Sequence, residues 1–158
     1  MHLKENVVVR WTVWLSRLVL ALVFVFAGTV KAMDPKAFAE EIMRYQLAPW
    51  PAAVVLALWL PFLEIAAGTG LLLPKLRAGA QAVLTVLLLA FTVALLSAWR
   101  RGLDIDCGCF GTVAGHQDLV HALVRDGILL GLLGWIWIQD ARSSRLPLPQ
   151  PTSPVPSP

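Results

Sequence analysis

Cysteine is nearly absent from this chain of 158 residues: there are two, Cys107 and Cys109, with one glycine between them. A disulfide framework of the kind that staples small secreted domains needs cysteines spread along the chain. That class is excluded, and any thiol chemistry runs through this one pair. Charge is scarce too. Charged residues make up 15% of the chain and hydrophobic ones 58%, whereas a soluble domain has about 25% and roughly 45–50%. The basic residues behind the net charge of +3 stand at the ends of apolar runs and form no stripe, so the electrostatic footprint of a nucleic-acid binder is missing. Lipid is the expected surrounding, and nucleic acid is not an expected partner.

What the chain has in abundance is apolar runs of membrane-spanning length. A helix needs about 20 apolar residues to cross a hydrocarbon core of about 30 Å. Four stretches meet that requirement, at about 12–31, 51–73, 78–99 and 118–139. The expected fold is all-α, a four-helix transmembrane bundle with a short amphipathic helix between the first two spans. In that helix Asp34 can cap, Pro35 takes the first helical position, and Phe38, Ile42 and Tyr45 recur at helical spacing. It either lies on the membrane surface, with Tyr45 and Trp50 at interfacial depth, or packs over the bundle. The six-residue PKLRAG turn forces the second and third spans antiparallel. The last span needs a start near Asp118, because the purely apolar part, 128–138, is short. Residues 1–141 form the expected membrane domain. The tail from 142 to 158 has proline at six of its last twelve positions and is expected to be disordered. A cleavable signal peptide competes for the first run, with Val30 and Ala32 as small residues of a cleavage site; the length of the run and the further spans favour a retained helix.

Four spans place both termini and the Lys75–Arg77 turn on one side. The loop holding the cysteines lies on the other. Basic residues divide seven to six: Lys4, Arg10, Arg17, Lys75, Arg77, Arg142 and Arg145 against Lys31, Lys36, Arg44, Arg100, Arg101 and Arg125. The tight turn has no acidic neighbours, so the positive-inside rule leans toward cytoplasmic termini in the inner membrane, with the cysteines outside.

Cys107 and Cys109, with Gly108 between them, can close a small strained disulfide ring, and strain makes a disulfide labile toward an incoming thiolate. Arg100 and Arg101 favour the thiolate, whereas Asp104 and Asp106 oppose it. Two alternatives stay open. A zinc site would be half filled by two thiolates and would need His116, His121, Asp104 or Asp106 to complete it, and the pair could also be inert. Elsewhere, Glu64 places a carboxylate within the second span, where such groups are paired or functional. Counting about 1.5 Å per residue, Arg17 comes within reach of it, so an Arg17–Glu64 ion pair joining the first two spans is expected, with proton transfer or ligand binding as the competing role.

The segments AGTVKAMDPKAFAEEIMRYQLAPW, LPFLEIAAGTGLLL and RRGLDIDCGCFG resemble the methylamine-utilisation MauE family within the wider DoxX-like membrane proteins, over nearly the whole chain to about Gln139. The resemblance implies a four-helix membrane protein that supports disulfide formation in extracytoplasmic proteins, with Cys107 and Cys109 as its redox pair, a thioredoxin-like or other thiol-bearing protein as its partner, and a methylamine dehydrogenase subunit as the family's named client. The architecture also looks like vitamin K epoxide reductase and DsbB, which couple a thiol pair to quinone. The second cysteine pair of those proteins is missing here, so quinone as a cofactor would need direct transfer from Cys107–Cys109. The rival from another class is a non-enzymatic accessory subunit holding a redox complex through Gly68, Gly70, Gly131 and Gly134. Transport coupled through Glu64 is a third option.

Overall fold

A computed structural model describes residues 2–102 and 119–143. Among the described residues the regular structure is all helical: α1 (His2–Met33), α2 (Pro35–Arg44), α3 (Trp50–Gly70), α4 (Arg77–Arg100) and α5 (Leu119–Ser143). Four of the five are long and apolar enough to cross a membrane, over Val7–Met33, Trp50–Gly70, Arg77–Arg100 and Val120–Arg142. Large apolar side chains face outward on every one of them, including Trp59, Phe62, Val86, Val93 and Ile128. In water such a surface would aggregate; in lipid it is the ordinary exterior.

The boundaries have local causes. α1 stops at Met33 because Asp34 caps the next helix, its Oδ1 accepting the Ala37 N–H at 3.0 Å, and Pro35 follows at the first position. Gln46 at the end of α2 takes φ 53° and Gly102 at the end of α4 takes φ 63°, the left-handed conformation that ends helices. Hydroxyls within the spans bond back to the preceding turn, as Thr29 to Val25, Thr69 to Ile65 and Thr92 to Leu88, so they enter lipid satisfied.

The spans pack in the cyclic order α1, α3, α4, α5, around Leu20, Phe24, Leu71, Leu84, Leu88, Leu133 and Ile136. α1 and α3 make the closest approach. A Cβ on Gly28 would lie 2.7 Å from the Pro61 carbonyl oxygen and 2.8 Å from Ile65, and one on Gly68 would lie 3.2 Å from the Ala21 carbonyl oxygen. The small residues let the backbones touch where the helices cross. Gly131 and Gly134, which an accessory role would recruit, meet nothing within 4 Å.

α2 packs over the bundle. It buries Phe38 and Ala39 against Ala57, with Val54 and Ile42 beside them, on the first two turns of α3. Those turns therefore extend beyond the end of α1. At the same end Tyr45 packs on Leu95 and Ala122, and Arg101 Nη2 donates to the Tyr45 carbonyl at 2.5 Å, tying the end of α2 to the end of α4.

Candidate functional site

Because α2 occupies the level above α1, the register between α1 and α3 is shifted: Gly28, and not Arg17, lies opposite Glu64, the added Cβ of Gly28 coming 3.2 Å from the Glu64 Cβ. Arg17 is three turns further down, roughly 16 Å away along the helix axis. The expected Arg17–Glu64 pair is therefore not formed. Counting rise from Pro51 placed Glu64 too deep, since it took both helices to begin at one level. Glu64 is instead paired with Lys31, whose Nζ donates to Oε1 at 2.6 Å, and both side chains are at most 4% exposed.

The pair is enclosed with care for the cation. Lys31 Nζ stands 4.6 Å from the centroid of the Phe91 ring and 5.2 Å from that of Phe38, so two aromatic faces from α4 and α2 supply attraction where water is excluded. A second ion pair comes from α5. Arg125 Nη2 lies 3.1 Å from Asp126 Oδ1, and Asp126 is buried. All four charged residues line one cavity of about 30 Å³, together with Val23, Phe24, Ala27, Leu88, Phe91 and Leu129. Glu64 Oε2 and Asp126 Oδ2 are buried without a hydrogen-bond partner among the described residues, and the cavity has room for a water. The result is a charge-balanced quartet inside the apolar bundle, drawn from three spans. Burying Lys31, Glu64 and Asp126, with Arg125 partly exposed, costs enough that structure alone is a weak reason to keep them.

The quartet lies toward the end of the bundle where α4 stops and α5 starts. Asp126 is seven residues into α5, roughly 10 Å from its first residue, and Phe91 is nine residues from the end of α4. The segment joining these two ends carries Asp104, Asp106, Cys107, Gly108, Cys109, His116 and Asp118, all outside the described residues. Of the residues the sequence singled out, only Glu64 belongs to the quartet. Lys31, Arg125 and Asp126 were missed as members: Lys31 reads as a basic residue ending a span, Arg125 as facing the bundle or the headgroups from the last span, and Asp126 as part of a polar lead into its apolar part. The available signal was the adjacent Arg125-Asp126 within LVHALVRDGILL, two opposite charges inside a run long enough to span only if they enter the membrane. His121 is exposed and does not line the cavity.

Arg17 has its own partner at the opposite end. Its Nη2 bonds Asp140 Oδ1, and the other carboxylate oxygen of Asp140 accepts from Gln81 Nε2 at 2.7 Å. This second polar cluster joins α1, α4 and α5.

The family model for the methylamine utilisation protein MauE matches residues 9–139. Among curated proteins, the chain is 37% identical to the methylamine utilization protein MauE of Paracoccus denitrificans, over 61% of this chain and 53% of that protein. It is 34% identical to the protein of the same name from Methylophilus methylotrophus, over 60% and 50%, and 31% identical to that of Methylorubrum extorquens, over 77% and 67%. The chain thus spans about half the length of the first two relatives. No solved structure matches it.

Proposed function

The chain belongs to the methylamine utilisation MauE family, and from that premise we propose that it is a membrane-embedded thiol–disulfide exchange protein that supports disulfide formation in extracytoplasmic proteins, a methylamine dehydrogenase subunit among them. The observation that carries this is the Cys107-Gly108-Cys109 pair, held between the end of α4 and the start of α5. A client thiolate attacks one sulfur of the Cys107–Cys109 disulfide, that S–S bond breaks, and a mixed disulfide forms. The client's second thiol, losing its proton, then displaces this protein's cysteine, leaving the client oxidised and Cys107 and Cys109 reduced by two electrons. The disulfide of a thioredoxin-like partner restores the pair by the same exchange in reverse.

The orientation that this role requires gains support from the ion pairs. Arg17, Lys31 and Arg125 are engaged within the bundle, and the positive-inside rule counts loop residues. Leaving those three out turns the division of basic residues from seven to six into six to four, in favour of cytoplasmic termini and an outward cysteine segment in the inner membrane.

The test is alkylation of intact cells with a membrane-impermeant thiol reagent, with and without mild reductant, alongside client oxidation in a Cys107→Ser/Cys109→Ser strain. Labelling only after reduction, and unoxidised client in the double variant, are the expected results. Normal client disulfides in that strain would sink the proposal. An accessory role has one observation in its favour, the unoccupied space beside Gly131 and Gly134.

A further inference from the structure

At the end of the bundle opposite the quartet, α1, α4 and α5 flank an open pocket of about 740 Å³, lined by Arg10, Arg17 and Arg77 together with Trp11, Trp14 and Asp140. Among its described lining residues the charge is unbalanced. The Asp140 carboxylate holds Arg17 through one oxygen and Gln81 through the other, so one anion faces three guanidinium groups. Arg17 is more than nine-tenths buried, yet its Nε has no hydrogen-bond partner among the described residues, and the same is true of the buried Nε of Arg77. Arg77 also opens α4, and the residue before it, Leu76, gives no side-chain cap, so the uncapped N–H groups of that first turn add partial positive charge.

A pocket with surplus guanidinium donors and a helix N-terminus suits a phosphate-type oxyanion. The depth of the pocket points to where that oxyanion comes from. Trp11 and Trp14 are exposed and meet edge to face, with centroids 6.1 Å apart, within the first turns of the candidate span that begins at Val7, and tryptophan on an outward face near the end of a span sits at headgroup level. Basic pockets between spans at that level bind anionic headgroups. We infer that this pocket binds a phosphate ester, presented by the headgroup of an acidic phospholipid.

The full chain in neutral detergent micelles, titrated in parallel with phosphatidylglycerol, phosphatidylcholine and inorganic phosphate while thermal unfolding is followed, tests the inference. Phosphatidylglycerol is expected to raise the midpoint by about 5 °C near saturation, and phosphatidylcholine to leave it in place. The Arg10→Gln/Arg77→Gln variant keeps the Arg17–Asp140 pair and is expected to lose the phosphatidylglycerol shift. A shift with inorganic phosphate, also lost in the variant, would assign the same oxyanion site to soluble phosphate. Equal shifts with the two lipids, a shift retained in the variant, or no shift with any of the three probes overturns the inference. If the variant does not fold, wild-type protein in high salt replaces it: screening should abolish the phosphatidylglycerol shift, and its persistence overturns the proposal.

Discussion

The two polar clusters of this bundle are built from similar residues to different ends. The Lys31–Glu64–Arg125–Asp126 quartet balances two cations against two anions around a cavity of about 30 Å³ and is walled by aromatic and aliphatic side chains. The Arg17–Asp140–Gln81 cluster stands beside a pocket of about 740 Å³ with an excess of arginine. A neutral cluster centred on the buried Lys31–Glu64 pair answers to the protein itself. A cationic one whose carboxylate is 35% exposed answers to something outside it. The same substitution chemistry should therefore be costly at the first and mild at the second.

The largest effect is expected at the quartet. Lys31→Met leaves the Glu64 carboxylate buried without its cation, which costs about 3–5 kcal/mol, measured as thermal or denaturant unfolding in micelles. Lys31→Met/Glu64→Leu removes both charges and should recover most of that loss. A double variant no more stable than Lys31→Met would mean that the pair is not what couples these positions. Next in size is the crossing beside the quartet. Gly28→Val pushes a side chain into the Pro61 backbone carbonyl, which cannot rotate away, and about 1–3 kcal/mol of stability should go with it. At the second cluster, Asp140→Asn takes the anion from the buried Arg17 but is expected to cost less than Lys31→Met, about 1–2 kcal/mol, because the carboxylate is 35% exposed and an amide can accept from Arg17 through its oxygen and donate to a flipped Gln81 through its N–H. A loss as large as that of Lys31→Met would erase the distinction between the two ends.

The fold class was legible because lipid imposes a simple rule, long apolar runs separated by turns, and α2 announced itself through Asp34-Pro35 and the spacing of Phe38 and Ile42. The pairing of buried charges was not legible. Which cation meets Glu64 depends on the relative height of α1 and α3, and that height is set by α2 taking the upper turns of α3 through Phe38, Ala39 and Ala57. Residue counting along single helices contains no such information. Gly28 was overlooked for a related reason: a glycine at a helix crossing looks like any other until the partner helix is placed. Gly68 was singled out as a contact for other proteins, whereas it is engaged inside, against Ala21 and Phe24.

The smallest expected effect separates the two functional classes. Gly131 and Gly134 lie in the interior of α5 with nothing near their missing side chains. In isolated protein, Gly131→Ala and Gly134→Ala should each raise stability by about 0.5–1 kcal/mol, since alanine restricts the unfolded chain and favours helix. If that face meets only lipid, larger residues such as leucine are also accepted and client oxidation in cells is unchanged. If a partner helix docks there, leucine at either position stabilises nothing in the assembled complex, expels the partner and abolishes function while leaving the purified protein folded. Client oxidation in a Gly131→Leu/Gly134→Leu strain therefore reads out the accessory role independently of the cysteines. Loss of function there alone, with the double serine variant at Cys107 and Cys109 active, would shift the protein from exchange catalyst to scaffold.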